Sequence, residues 1–275
     1  MILTKKVLIF GIDGCRPDAL QAADTPALDS LAANGAYSFT AQACRETKSG
    51  PSWASVLTGV WPDKHGVTNN SLEGDHFSEF PHFFSRLKSV SPEAFTASFV
   101  HWAPIHDKIV RSADRSNKYA SDVEVAAESV CLLQSACPDV IFLHFDEVDK
   151  AGHRNGYGPS IIPYLSAISV VDTLISRVLR AVQSRPSYDK EDWLFIATTD
   201  HGGSSHFEPG SQKARHGDNI PEHRTVFLIL GGGRVLPGEI SPAPTSIDIP
   251  PTALSHLGIG VSSDWGWEGH AVGLT

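Results

Sequence analysis

The chain has 275 residues, of which 41% are hydrophobic and 19% are charged. This composition allows a sizeable core and excludes disordered, collagen-like and low-complexity proteins. The formal net charge of −9 disfavours bulk binding of nucleic acid. Because no apolar run approaches the roughly 20 residues that span a bilayer, we expect a cytoplasmic protein with no membrane partner. The sequence does not indicate an oligomeric state.

Cysteine and histidine, two residue types that hold metal ions in proteins, differ in number here: the chain has few cysteines and many histidines. The four cysteines, Cys15, Cys44, Cys131 and Cys137, form no C-x-x-C pair and predict buried, reduced thiols rather than a disulfide framework. The 13 histidines, several of them beside acidic residues, are the residue type that a mixed His/carboxylate metal site requires.

Strand and helix patterns alternate along the chain. Apolar runs bounded by turn residues predict strands over 7–12, 94–100, 140–145, 193–199 and 225–230. Helical periodicity predicts helices over 25–33 and 161–179, and a short helix over 252–257. This alternation indicates an α/β fold, a three-layer α/β/α sandwich around a mostly parallel sheet.

No Pro-, Gly- or Ser-rich linker divides the chain, which predicts a single domain over 1–275. The proline-rich segment 236–251 predicts a surface loop. Residues 101–125 are polar, and we expect them to form a loop or a small cap over a site.

Acidic residues and histidines follow three of the predicted strands. Asp13 follows the first, Asp149 and His153 follow the strand over 140–145, and Asp200 and His201 follow the strand over 193–199. One such cluster would be an ordinary turn. Because ligands bind beyond the carboxyl ends of strands in an open α/β sheet, three clusters predict convergence at one edge.

The spacing within these clusters indicates two metal ions. Asp149 and His153 are four residues apart, which places both side chains on one face of a helix. Asp200 and His201 are adjacent and would point to opposite faces of a strand, so they must lie in the bend after it. Gly202-Gly203 permits such a bend.

A helix is also predicted between Lys48 and Gly59, with Pro51 in its first turn. Ser49 would lie at the N-terminus, where free backbone N–H groups and the helix dipole favour an anion. A metal ion beside it could make Ser49 a nucleophile for phosphorus, although a serine at this position is commonly only a cap.

Several segments together resemble the nucleotide pyrophosphatase/phosphodiesterase branch of the alkaline phosphatase superfamily. They occur in the family's order along the chain: Gly11 to Asp18, Thr25 to Leu31, Ser49 with Leu57 to Gly66, Asp149 to His153, Thr199 to Gly202, and His216-Gly217. Each block alone is unspecific, whereas the ordered set is highly specific. The resemblance implies an alkaline phosphatase-like fold.

The resemblance also implies a two-metal site and a substrate class. Two sets of side chains would each hold one divalent ion: Asp13, Ser49, Asp200 and His201 around one, and Asp149, His153 and His216 around the other. Zinc is the expected metal and manganese the alternative. The implied reaction is hydrolysis of a small phosphate diester, pyrophosphate or nucleotide-type ester through a phosphoseryl intermediate at Ser49, with Ser52 binding substrate.

Departures from the family pattern leave alternatives open. The family usually has Thr at the nucleophile and Asn three residues later, where this chain has Ser49 and Ser52, so a phosphate monoesterase remains an alternative. The sulfatase pattern also resembles this segment, but its Arg is replaced here by Trp53. Two further alternatives are a non-catalytic, metal-dependent binding protein and a mutase, which usually carries a cap domain.

Overall fold

The computed structural model describes residues 3–207 and 214–275. Eight of its strands form one sheet in the order β10-β2-β9-β6-β1-β5-β3-β4, and β7 pairs with β8. The strands are Thr4–Ile12 (β1), Ala36–Gln42 (β2), Thr96–Val100 (β3), Arg115–Lys118 (β4), Val140–Phe145 (β5), Glu191–Thr198 (β6), Ser204–Phe207 (β7), Ala214–Arg215 (β8), Thr225–Gly232 (β9) and Gly238–Glu239 (β10).

The sheet is mostly parallel, as the alternation of patterns predicts. Strand β1 pairs in parallel with β5 and β6, and β3 pairs in parallel with β5 and β4. Strand β9 is antiparallel to both of its neighbours, β2 and β6. Strands β1, β5 and β6 therefore lie side by side with their carboxyl ends at the same edge.

Helices cover both faces of the sheet. They are Pro17–Ala22 (α1), Pro26–Ala33 (α2), Ser49–Thr58 (α3), Pro62–His65 (α4), Phe83–Val90 (α5), Asp122–Ser135 (α6), Glu147–Asn155 (α7), Ile162–Gln183 (α8), Pro221–Arg224 (α9) and Ile249–Leu257 (α10). One core contains buried side chains of α3, α5 and α10, and the other contains side chains of α1, α2, α6, α7 and α8.

The two cores are separated by the alternation of side chains along the central strands. In β1, Val7 and Ile9 belong to the core beneath α3, whereas Leu8 and Phe10 belong to the core beneath α8. Successive strand residues point to opposite faces, so a strand covered on both sides is apolar throughout. The three-layer α/β/α architecture is thus confirmed.

Helix α8 has the length and the mean hydropathy of a membrane-spanning helix. Core helices of soluble proteins can have both properties as well. Its periodic residues Ile168, Val171, Ile175 and Val178 are buried in the second core. The helix therefore covers the sheet with the face that the 3.6-residue period predicts.

Some local expectations need correction. Within 101–125 the chain forms a π-helical turn over Ile105–Ile109, strand β4 and the start of α6, so this segment adds an edge strand to the sheet. Segment 236–251 likewise carries the edge strand β10. All four cysteines are free, but only Cys15 and Cys44 are buried, so the expectation of burial is wrong for Cys131 and Cys137.

Candidate active site

Three neighbouring strands bring the acidic residues and histidines to one edge of the sheet. Asp13 directly follows β1, Asp200 follows β6 after one residue, and α7 with Asp149 begins just after β5. Because β1 lies between β5 and β6, these side chains meet above the carboxyl end of β1. Asp13 and Asp200 are almost completely buried.

The first cluster is arranged around Nε2 of His201. This nitrogen lies 3.3 Å from Ser49 Oγ, 3.5 Å from Asp13 Oδ1 and 3.3 Å from Asp200 Oδ2. Helix α3 supplies Ser49 from one face of the sheet, while the other three residues come from strand ends. The four residues expected around one ion are therefore adjacent.

The polar atoms of this cluster fit a metal ion. His201 donates its Nδ1–H to the carbonyl of Gly202 at 2.8 Å, so the Nε2 lone pair faces the oxygens of its neighbours. Asp13 Oδ1 and Asp200 Oδ2 are buried and have no hydrogen-bond partner in the described part of the chain. A cation would provide a partner for all of these atoms. The hydrogen bond from Nδ1 to the Gly202 carbonyl is of the kind that orients a metal-ligating histidine.

The pKa shifts of the first cluster also indicate that it can hold a cation. Burial, together with the charges of Asp200, Asp149 and Asp146, raises the pKa of Asp13 well above its ordinary value. Burial also raises the pKa of Asp200 and lowers that of His201. Buried carboxylates need positive charge nearby, and a divalent ion would supply it.

The second cluster comprises Asp149, His153 and His216. His153 Nε2 lies 3.2 Å from Asp149 Oδ2, and His216 Nε2 lies 3.9 Å from Asp149 Oδ1. Burial acts to raise the pKa of Asp149, but the hydrogen bond from His153 and the charges of His216 and His201 bring it below its ordinary value. The three side chains offer ligand atoms within 4.8 Å of one another.

His216 reaches this cluster from the loop after β8. It donates its Nδ1–H to the carbonyl of Thr47 at 2.8 Å, and its ring stacks on His201 with centroids 3.8 Å apart. Thr47 lies two residues before Ser49, so one short segment accepts the hydrogen bond of His216 and leads into α3. The two clusters are therefore in direct contact.

Glycines allow this close packing, although Gly202 and Gly203 do so differently from the sequence-based expectation. Neither adopts a positive φ. A Cβ on Gly202 would lie 2.1 Å from the Glu222 carbonyl oxygen, and one on Gly203 would lie 2.6 Å from the Tyr157 ring. These two positions need glycine for space rather than for backbone freedom.

The N-terminus of α3 offers fewer free donors than expected. The N–H of Gly50 is bonded to Asn70 Oδ1 at 2.8 Å, Pro51 has no N–H, and the N–H of Ser52 bonds to the Lys48 carbonyl. The expectation of several free N–H groups beside Ser49 is therefore wrong. Gly59, with φ of 75°, does end the helix.

The hydroxyl of Ser52 faces the segment before α3. It lies 3.4 Å from Cys44 Sγ and 3.5 Å from the Glu46 carbonyl. Ser52 is buried, and its role in substrate binding stays a prediction.

Sequence reasoning missed four side chains that contact the proposed ligands. Tyr157 donates its hydroxyl to Asp149 Oδ1 at 2.7 Å, while Trp53 and His144 donate to Asp13. Asp146 forms a third candidate metal group with Asp13 and His144. A signal was present for His144, since a histidine inside an apolar strand needs a polar partner.

Comparison with known proteins agrees with the fold. Residues 7–88 match the family described as type I phosphodiesterase / nucleotide pyrophosphatase, and residues 92–260 match the metalloenzyme superfamily. Among solved structures, murine ectonucleotide pyrophosphatase / phosphodiesterase 5 superposes with a TM-score of 0.75 at 16% identity, covering 94% of this chain and 96% of that one. A 2-O GAG sulfatase superposes with a TM-score of 0.76 at 17% identity, covering 97% and 73%.

Curated relatives are similar over most of this chain. Ectonucleotide pyrophosphatase/phosphodiesterase family member 3 of Rattus norvegicus is 23% identical over 71% of this chain and 24% of its own length. Bis(5'-adenosyl)-triphosphatase ENPP4 of Homo sapiens is 26% identical over 73% and 48%. The chain thus spans a quarter to about half of these relatives. Because the metalloenzyme match covers more than half of the chain, the protein belongs to the metalloenzyme superfamily, and its residues 7–88 are similar to the type I phosphodiesterases and nucleotide pyrophosphatases.

Proposed function

We propose that this chain is a two-metal phosphoesterase that hydrolyses phosphate diesters, or pyrophosphate and nucleotide-type esters, with Ser49 as the nucleophile. The observation that carries the proposal is the position of the Ser49 hydroxyl. It lies 3.3 Å from His201 Nε2, beside buried carboxylate oxygens of Asp13 and Asp200 that lack partners in the described residues. The similarity to relatives named as phosphodiesterases and as a triphosphatase favours the same substrate class.

The proposed reaction has two displacements at phosphorus. In the first, Ser49 Oγ bonds to phosphorus, the ester P–O bond breaks, and the alcohol leaves with the serine proton. In the second, water attacks the phosphorus on Ser49, which still carries the second ester group of a diester, the Oγ–P bond breaks, the phosphate monoester leaves, and the serine hydroxyl is restored. Ser49 is thus regenerated after one water has been consumed.

The protein residues hold and orient the reacting groups. Asp13, Asp200 and His201 would hold one ion beside Ser49, and Asp149, His153 and His216 would hold the other. Bound divalent ions supply Lewis acidity and lower the pKa of hydroxyl groups. The mixed imidazole and carboxylate set suits zinc first and manganese second.

A cleft beside the first turn of α3 supports a diester over a monoester. It has a volume of about 410 Å³, and its lining includes Arg45, Trp61 and Arg224. Neither arginine forms an ion pair within residues 3–207 and 214–275. Cys44 and Glu46 line this cleft and also contact Ser52, one turn from the Ser49 end of α3. A nucleoside-sized group on a second ester bond would fill such a space.

Two alternatives are less well supported by the residues. In place of the Arg of the sulfatase pattern, Trp53 is fully buried and bonded to Asp13. All seven predicted metal ligands are present and adjacent, which argues against a binding protein that has lost turnover. A phosphate monoesterase keeps the same ligands, so it is the alternative that the experiment must separate.

The test compares an aryl phosphate monoester with an aryl phosphate diester, with no metal, with zinc and with manganese. We expect metal-dependent hydrolysis of the aryl diester and an aryl-phosphoryl ester at Ser49, with the second aryl group still on phosphorus, that mass spectrometry detects after acid quenching. Ser49→Ala should abolish both while metal content stays near wild type. Ser49→Thr, which retains a hydroxyl, is the matched control and should keep part of the turnover.

Three results would contradict the proposal. Unchanged turnover in Ser49→Ala would exclude Ser49 as the nucleophile, and hydrolysis of only the monoester would favour the monoesterase. Absence of turnover on either ester, with metal bound, would favour the non-catalytic alternative. Arg45→Ala adds a check on the cleft, because it should raise KM for a nucleotide diester and leave KM for the aryl monoester unchanged.

A further inference from the structure

The two carboxylate oxygens of Asp13 have different surroundings. Oδ2 accepts hydrogen bonds from Trp53 Nε1 at 2.8 Å and from His144 Nε2 at 3.0 Å. Oδ1 accepts none in the described part of the chain and lies 3.5 Å from His201 Nε2. One oxygen is therefore held by the protein, and the other is directed at the proposed ligand cluster.

Trp53 is fixed in place before it reaches Asp13. It extends from α3, is fully buried, and packs edge-on against Phe142 and His144, with ring centroids 5.7 and 5.0 Å away. A Cβ on Gly11 would lie 2.5 Å from the indole, so the glycine in β1 makes room for the ring. The indole therefore lies across β1 and cannot swing without disturbing the core.

The protonation of His144 is determined by its neighbours. Its Nδ1 accepts the backbone N–H of Trp102 at 3.4 Å. The ring proton must then lie on Nε2, which points at Asp13 Oδ2. His144 is completely buried in β5. The strand therefore holds the Nε2–H of His144 toward the carboxylate of Asp13.

The same residues admit a second interpretation. Asp13, His144 and Asp146 together form a candidate group for a third ion. An ion there would have to displace the Nε2 hydrogen of His144 from Oδ2, where Trp53 also donates. Because His144 Nδ1 accepts the Trp102 N–H, Nε2 carries the ring proton, and the indole N–H of Trp53 can only donate, so hydrogen bonding to Oδ2 is favoured over ligation.

We propose that Trp53 and His144 are positioning residues that hold Oδ2 of Asp13 and thereby direct Oδ1 toward the first metal group. This inference rests on the proposed metal site. Two donors on the distal oxygen fix the rotamer of a ligating carboxylate, and loss of such partners typically weakens metal binding 10- to 100-fold. Trp53, which donates one of these two hydrogen bonds, occupies the position at which the sulfatase pattern has an arginine.

The experiment measures zinc affinity by chelator competition and zinc stoichiometry by elemental analysis. Trp53→Phe keeps the aromatic ring and removes only the N–H. His144→Leu removes the second donor, and His144→Gln retains an amide N–H in its place. Trp193→Phe is the matched control, because Trp193 is also buried and its Nε1 donates to Glu191 Oε2 at 2.8 Å, at the opposite end of the sheet.

We expect Trp53→Phe and His144→Leu to weaken zinc binding roughly 10-fold or more, with folded circular dichroism spectra. His144→Gln should recover most of the affinity, and Trp193→Phe should bind as wild type does. Wild-type affinity in both Trp53→Phe and His144→Leu would overturn the inference while leaving the proposed function intact. A drop from three zinc ions to two in His144→Leu would overturn it in favour of a third metal, and a wild-type protein that binds neither zinc nor manganese would overturn the proposed function itself.

Discussion

The imidazole of His216 stacks on that of His201, with ring centroids 3.8 Å apart and planes 17° apart. The two histidines belong to different candidate metal groups. Burial lowers the pKa of both rings, so both remain neutral and available as ligands at pH 7. Contact between the rings joins the two groups into one unit.

We predict two roles for His216, as a metal ligand and as the ring that stacks on His201, and one substitution separates them. His216→Phe should keep the stack and lose the ligand atom, so that bound metal falls from two ions to one and diester turnover falls roughly 10²-fold or more. Metal analysis and steady-state kinetics measure these effects. His223→Phe is the control, since His223 is a buried histidine that belongs to none of the three groups. Two ions in His216→Phe would contradict its role as a ligand.

Gly14 lies beside the three acidic residues among the predicted ligands, Asp13, Asp149 and Asp200. Its N–H donates to Asp200 Oδ1 at 3.1 Å, its φ is +64°, and an added Cβ would lie 2.3 Å from Asp149 Oδ1. Gly14→Ala should displace Asp149 and weaken metal binding about 10-fold or more, as chelator competition would show.

The control for Gly14→Ala is Gly258→Ala. Gly258 also has a positive φ, +83°, but an added Cβ would meet only Lys5 Nζ at 3.4 Å. Backbone strain alone should then cost roughly 1–2 kcal/mol of unfolding free energy with no change in metal affinity. Equal metal affinity in both variants would show that Asp149 tolerates the new methyl group.

Asp172 caps a helix from a distant part of the chain. Its carboxylate accepts the N–H groups of Ala27 and Leu28 at 3.0 and 2.8 Å, while Thr25, the residue before α2, makes no side-chain cap. Asp172→Ala should lower the unfolding free energy by about 0.5–2 kcal/mol. Urea denaturation measures the loss. Metal content should not change, and a decrease would indicate that α2 supports the site.

Two buried histidines predict a loss of stability in acid. Burial lowers the pKa of His65 and of His82 to about 4. In the unfolded chain they take up protons near their ordinary pKa of about 6.5. Between these values the unfolded state binds more protons, so stability falls as the pH falls from about 6.5 toward 4.

A variant comparison isolates this effect from other titrating groups. The unfolding free energy of wild type minus that of His65→Asn should decrease as the pH is lowered, with a slope of at most about 1.4 kcal/mol per pH unit. His82→Asn should behave in the same way. A difference that is constant between pH 7 and pH 4.5 would refute the prediction.

What the sequence determined by itself is local. Strand 140–145 coincides with β5, and the four-residue spacing of Asp149 and His153 holds on α7, because period and spacing depend only on neighbours along the chain. The places of Asp13 and Asp200 after strands follow from the same patterns. The ordered motifs, taken as a resemblance, also indicated His216, which periodicity does not distinguish from a surface histidine.

The tertiary structure alone decided which donors surround these residues. Trp53 contacts Asp13, which is 40 positions away along the chain, and His144 contacts it from 131 positions away. Tyr157 occupies the space that Gly203 leaves, a complementarity that neither residue's neighbours encode. Such contacts arise only when helices pack on the sheet, because burial of a polar atom forces it to find a partner among whatever side chains are brought alongside.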